Sequence, residues 1–132
     1  MRAPALAKKI AALAIAKKAQ DVVILDVRGL TAMTDFFVLC SGDSEVQVKA
    51  ISDGVEEGTE NANSAPWHRE GGSPSWIVLD FVDVVLHVFH KTTRSYYNLE
   101  KLWGDARIQR VVDKAPLRAR KSASTTRRKL AS

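Results

Sequence analysis

Two carboxylates and two imidazoles lie within residues 76–90, WIVLDFVDVVLHVFH: Asp80 closes one apolar run, Asp83 opens the next, and His87 and His90 follow. Paired acids at one end of a sheet can hold a divalent ion for nucleotidyl transfer, and CSGDS at Cys40–Ser44 faintly imitates the turn that precedes such a pair. The spacing argues otherwise. A metal pair needs acids that alternate on one strand so that both face the ion, with a third acid and basic groups for the triphosphate. Asp80 and Asp83 instead bracket a turn with Phe81 and Val82 at its centre, and aspartate is favoured there because it hydrogen-bonds the local backbone.

His87 shares strand parity with Val85 and Phe89, so it belongs to an otherwise apolar face. It is either a half-buried imidazole satisfied by a neighbour or a general base, and a base needs a nucleophile, which the pattern does not supply. His68 and His90 lack a Cys or His at zinc-ligand spacing. Ser41 and Ser44 lack the glycine-flanked elbow of a hydrolase, and Gly71-Gly72 is too isolated to cradle a phosphate. No catalytic residue, metal or cofactor is expected.

The elements that position these residues alternate between two periods. In ALAKKIAALAIAKKAQ, Leu6, Ile10 and Leu13 fall at i, i+4 and i+7, the stripe of an amphipathic helix. Val22–Val27 and Phe36–Cys40 are short, β-branched or aromatic, and apolar on both parities, as expected for strands covered on both faces. Ser44 with Gln47 has the spacing of a capping box opening a second helix, with Val48, Ile51 and Val55 on one face and an end near Gly58. Residues 59–75 are turn-rich and read as loop or very short edge structure. Trp76–Asp80 and Val84–Phe89 are close enough to require a hairpin. TTRSYYNLEKLWG then places Tyr96, Leu99 and Trp103 at helical spacing, with Thr92 or Thr93 as its cap. The whole predicts an α/β fold, a mixed β-sheet sandwiched by helices.

A chain of 132 residues makes one ordinary core. The lone Cys40 sits in an apolar run, which fits a buried thiol and a reducing compartment. No apolar stretch reaches the roughly 20 residues of a membrane span, and the N-terminus, with its lysines spread through it, has neither the apolar block of a signal peptide nor the arginines of a transit peptide, so a cytoplasmic location is expected. Charge divides along the chain. Residues 1–106 hold 11 Lys+Arg against 14 Asp+Glu, whereas residues 107–132 hold 9 Lys+Arg against Asp113 alone. We therefore expect a folded domain over 1–106 and a disordered basic tail over 107–132, with Arg118, Arg120, Lys121, Arg127, Arg128 and Lys129 as candidate RNA contacts. Tyr96, Tyr97 and Trp103 cluster in a short terminal element of a small domain, where rings not needed by the core suit an interface.

Several ordered blocks, DVVILDVRGLTAMTDFFVLCSGDS, QVKAI, HREGG, SWIVLDFVDVVLHVFH and TRSYYNLEKLWGDA, resemble the ribosomal silencing factor family, also called RsfS or Iojap-like, over about Ala5 to Ala106. The resemblance implies a non-enzymatic protein with a fold related to the nucleotidyltransferases but without their catalytic set, and a homodimer when free. It implies binding to ribosomal protein fourteen at the intersubunit face of the large subunit, which blocks subunit joining and represses translation when nutrients are short. Carried over by motif, the implied docking residues are Asp80, Phe81, Asp83, His87, Arg94, Tyr97, Leu99 and Trp103. Trp76 and Asp35 match the family too and are assigned to structure. Two departures stand out: Phe81-Val82 replaces the family's Tyr-Gly, although a β-branched residue resists the positive φ of a tight turn, so the turn is either rebuilt or looser. Val46 stands where members often carry a basic residue. Other readings also remain: a metal-dependent nucleotidyltransferase using Asp80 and Asp83, and a general RNA-binding module acting through the tail.

Overall fold

The computed structural model describes residues 2–73, 75–93 and 106–111. In chain order they form α1 (Ala3–Ala16), β1 (Gln20–Asp26), β2 (Phe36–Gly42), α2 (Glu45–Asn61), β3 (His68–Ser73), β4 (Trp76–Asp80), β5 (Val84–His90) and β6 (Arg107–Val111). The six strands make one sheet in the order β3-β4-β5-β2-β1-β6. β2 and β5 run parallel, and the other neighbours pair antiparallel, so the expected mixed α/β sheet is present.

Strand alternation divides the core in two. On one face Leu6, Ile10 and Ala14 of α1 and Val48, Ile51 and Val55 of α2 close over Ile24, Val38, Cys40, Leu79, Leu86 and Val88. The opposite parity places Val23, Leu25, Leu39 and Phe89 in a second cluster, with Phe37 and Trp76 partly buried at its margin. This is why the β1 and β2 runs carry apolar residues on both parities: each parity has its own layer to fill. α1 and α2 share a single face. The helix expected on TTRSYYNLEKLWG lies outside the described residues except for 91–93, which are helical. There His90 Nδ1 accepts the Thr92 N–H at 3.2 Å.

Pro4 lies in the first turn of α1, which its fixed φ suits. Ser44 caps α2 as expected, its Oγ accepting the Gln47 N–H at 3.1 Å. The reciprocal half of the capping box is not made. Gln47 Nε2 reaches across to the carbonyls of Lys17 (3.0 Å) and Lys18 (3.4 Å), satisfying acceptors that the end of α1 leaves unpaired. α2 runs past Gly58 to Asn61, because Gly58 serves helix contact rather than termination: a Cβ there would meet Leu13 Cδ2 at 2.5 Å. Asn63, with φ 58°, makes the left-handed turn that ends the helix.

The sequence left residues 59–75 as loop or very short edge structure and placed the domain boundary at Ala106. The turn-rich segment contains a real edge strand, β3, fastened to α2 by Arg69, which pairs with Glu56 at 2.6 Å and Asp53 at 2.9 Å. The folded unit also does not stop at Ala106. Arg107–Val111 pairs antiparallel with β1 from Asp26↔Arg107 to Val22↔Val111, so Arg107 and Arg110 belong to the sheet. An edge strand needs little apolar character because β1 supplies its hydrogen bonds, and four of the five β6 residues are exposed. The rest of the basic segment lies outside the described residues.

Candidate functional site

The β4–β5 hairpin ends at one edge of the sheet, and its tip is built from unusual geometry. The strands pair as far as Asp80↔Val85, and the Phe81 N–H donates to the Val84 carbonyl at 2.8 Å. The central residues are therefore Val82 and Asp83, one position later than the sequence suggested. The Asp83 N–H turns back to the Phe81 carbonyl at 2.9 Å, a three-residue turn centred on Val82, whose φ is 74°. A β-branched residue in that region costs about 1–3 kcal/mol. The turn is thus rebuilt around valine, and its surroundings fix it. Asp80 Oδ1 accepts the Val82 N–H at 2.8 Å, while the Asp83 carbonyl accepts the N–H groups of Asp35 (3.0 Å) and Phe36 (3.1 Å), tying the tip to β2.

These contacts assign roles to the sequence-derived residues. Asp80 is the turn-forming aspartate, with its carboxylate on the backbone of its own hairpin. The Asp83 side chain is exposed at the tip. Phe81 departs from its expected role as a docking contact: at 8 % exposure it belongs to the helix-side core and supports the tip from beneath, and the apolar group displayed there is Val82, 55 % exposed. Arg94, Tyr97, Leu99 and Trp103, and the tail residues Arg118, Arg120, Lys121, Arg127, Arg128 and Lys129, lie outside the described residues.

Two further residues at this end escaped the sequence reading. Trp67 is 76 % exposed, and its backbone N–H donates to the Asp80 carbonyl at 2.8 Å, which places it beside the hairpin. Met33, 87 % exposed, sits in the β1–β2 loop that Asp35 joins to the tip. Their signal was available: each is a large apolar residue isolated in a turn-rich stretch, where no core stripe claims it. With Val82 they give this end of the sheet an apolar character edged by Asp35, Asp80 and Asp83.

His87 lies on the sheet face opposite the helices. Its Nδ1 accepts the Trp76 indole N–H at 3.1 Å, the Phe37 ring meets it edge-on with centroids 5.4 Å apart, and the Phe89 ring stacks at 5.9 Å. Desolvation among these rings lowers its pKa from 6.5 to about 4, so the imidazole is neutral near pH 7. An indole donor fixes the ring as an acceptor at Nδ1, which is the satisfied, structural reading of this histidine. Phe37, Trp76, Val78, Val85 and His87 are all half-buried, so this face offers an aromatic and aliphatic strip leading toward the hairpin end. Among the described residues, no three His, Cys, Asp or Glu side chains gather in a way that could hold a metal ion, and no helix is long and apolar enough to cross a membrane. The arrangement offers a surface for contact: a fixed tip, displayed apolar groups and nearby carboxylates.

Comparison with known proteins agrees with this geometry. The family described as "Ribosomal silencing factor during starvation" matches residues 1–132. The chain is similar to the ribosomal silencing factor RsfS of Bacillus subtilis, 44 % identical over 91 residues that span 68 % of this chain and 77 % of the relative. It is also similar to the chloroplastic protein Iojap of Zea mays, 38 % identical over 89 residues, which span 67 % of this chain and 39 % of that longer protein. Among solved structures, a Chromobacterium violaceum protein superposes with a TM-score of 0.77 at 31 % identity, covering 87 % of this chain and 97 % of its own. A Bacillus halodurans protein superposes with a TM-score of 0.65 at 40 % identity, covering 76 % and 91 %. With its mixed six-stranded sheet, and with a family match reaching through β6 and beyond, the chain belongs to the ribosomal silencing factor family.

Proposed function

We propose that this protein silences ribosomes by obstruction: it docks on ribosomal protein fourteen at the intersubunit face of the large subunit, prevents the small subunit from joining, and so lowers translation when nutrients are limited. The observation that carries the reading is the family match over residues 1–132. The structure contributes a means. A blocker needs a rigid patch of ordinary interface size, on the order of 800 Å² per partner, placed where a larger body must dock. The hairpin end, with Val82 and Asp83 displayed and Asp80 holding the turn, provides one edge of such a patch. His87 contributes by keeping the adjoining face rigid, and Arg94, Tyr97, Leu99 and Trp103 extend the patch by family resemblance, with the aromatics as anchors and the charges setting register. Free protein is a homodimer in this reading, and no bond is made or broken.

The test is sedimentation of purified small and large subunits at a magnesium concentration that permits joining. Stoichiometric protein should convert joined ribosomes into free subunits, and Tyr97→Ala or Trp103→Ala, in variants that keep the wild-type melting profile, should abolish the effect. Deleting residues 112–132, which spares β6, should weaken large-subunit binding only moderately and reduce its salt dependence. Subunits that join equally well with and without the protein would refute the proposal. Complete loss of binding on tail deletion alone would transfer the function to the tail.

A further inference from the structure

At the opposite side of the same sheet end, between the start of α1 and the β1–β6 pair, a cleft of about 310 Å³ opens. Its floor is apolar, with Ile24 and Phe36 from the sheet, while Lys8, Asp26, Arg28 and Arg107 line its walls. Pro4 and Ala7, small residues of α1 that line the cleft beside Lys8, leave the volume unfilled. A cleft of this size lies at the lower end of the range for small-molecule sites.

Its charges are unevenly matched. Three cations and one carboxylate line the cleft, with Asp35 a second acid near Arg28, and the lining carboxylate is already engaged: Asp26 accepts Arg28 Nε at 3.0 Å and Nη2 at 2.7 Å. These hydrogen bonds hold the Asp26 pKa down to about 2, with Arg107 adding to the effect, so the pair persists at any ordinary pH. The Arg28 guanidinium also stands over the Phe36 ring, 4.8 Å from its centroid. It is thereby held on two sides, with N–H donors of its five left over after the two given to Asp26. Among the described residues, neither Lys8 nor Arg107 makes an ion pair. Lys8 and Arg107, neither engaged in a direct ion pair among the described residues, and a preorganised guanidinium beside an apolar floor form a recognisable pattern: the cations suit a phosphate and the floor an organic body.

We propose that this cleft is a binding site for a small phosphate ester of mononucleotide size, with its phosphate between Lys8 and Arg107, its edge toward the free donors of Arg28, and its body against Ile24 and Phe36. The site is independent of the ribosomal reading. It lies across the sheet end from the hairpin, and none of its lining residues is among the docking residues above.

The test uses the full chain with AMP as probe and adenosine as control, followed by calorimetry and by backbone amide shifts. AMP should bind saturably with a Kd below about 1 mM, shifting the amides of Ile24, Phe36 and Ile108, and adenosine should bind at least about tenfold more weakly. Lys8→Gln and Arg107→Gln, both at exposed positions, should each weaken AMP by about tenfold and leave the melting temperature and subunit dissociation unchanged. No saturable AMP binding, equal binding of AMP and adenosine, or wild-type AMP affinity in both variants would each overturn the assignment.

Discussion

His87 makes the stability of this protein sensitive to mild acid. The folded imidazole has a pKa of about 4, lowered from 6.5 by desolvation among Trp76, Phe37 and Phe89. The unfolded chain takes up a proton near pH 6.5, whereas the folded chain does so only near pH 4. Above pH 6.5 both states are neutral and the group contributes nothing to the pH dependence. As pH falls from 6.5 toward 4 the unfolded state gains protons that the folded state refuses, and stability declines. Between pH 7 and pH 5 this amounts to about 2 kcal/mol, an upper figure because part of the ring still meets water. For a domain of this size the melting temperature should fall by about 5–10 °C. The Asp26 carboxylate, held at about 2, acts in the same direction but only below its ordinary value of 3.8, so the two windows separate. Urea unfolding of the wild type and of His87→Gln, whose amide can still accept from the indole, should show the wild type losing about 2 kcal/mol more than the variant between pH 7 and pH 5. Parallel curves, or an NMR titration that puts His87 near 6.5, would refute the claim that these rings desolvate it.

Three other substitutions test particular contacts. Val82→Gly should stabilise the fold by about 1 kcal/mol, since removing about 1–3 kcal/mol of left-handed strain outweighs about 0.5–1 kcal/mol of added chain entropy; a destabilised variant in urea would mean that the turn holds no strain. Asp80→Ala should cost about 1 kcal/mol through loss of the hydrogen bond to the Val82 N–H, and added magnesium should not change the wild-type melting temperature if the carboxylate serves the turn. Gly54→Ala and Gly58→Ala should have opposite signs. At Gly54 the new methyl meets Lys17 Cγ and Cε, both at 2.7 Å, and because Lys17 is exposed its whole side chain can leave by rotation about Cα–Cβ, leaving a gain of about 1 kcal/mol in helix propensity. At Gly58 it meets both methyls of half-buried Leu13 at 2.5 and 2.8 Å, and overpacking of about 1–3 kcal/mol should win; equal effects in thermal melts would exclude the difference.

What the sequence disclosed followed from how strongly each segment is periodic. β1, β2, β4 and β5 were legible because they are apolar runs bounded by turn residues, and α2 because Ser44 and the Val48–Ile51–Val55 stripe agree. β6 was missed, and β3 was legible only as loop or very short edge structure, for one shared reason: an edge strand takes its hydrogen bonds from a single neighbour and little burial from its own side chains, so HREGGS and RIQRV carry almost no pattern. The Gln47 side chain was misplaced because its true partners, the Lys17 and Lys18 carbonyls, are about thirty residues away and invisible to local spacing. At the site, Asp80 as a turn former and His87 as a satisfied imidazole were both readable from parity and position. Phe81 is buried and Val82 displayed, an exchange of position that follows because a shift of one residue in the tip turns one side chain inward and the other outward.

That exchange bears on how the proposed obstruction would work. Docking costs the entropy of whatever must be ordered on contact, so a displayed side chain is worth most when its backbone is already fixed. At Val82 the backbone adopts a conformation that valine resists, and the fold maintains it from three directions: the Asp80 carboxylate, the Val84 carbonyl and the Asp83 tie to β2. Glycine would occupy the turn more easily but would present nothing at its tip. Strain retained at an exposed position, where a cheaper residue was available, is the pattern expected when the side chain rather than the turn is what matters. Val82→Gly therefore separates stability from function: a chain that is more stable than wild type, yet poorer at keeping subunits apart, would identify the isopropyl group as part of the docking patch. A more stable chain with undiminished activity would confine Val82 to architecture and leave the contact to the neighbouring Asp83, Trp67 and Met33.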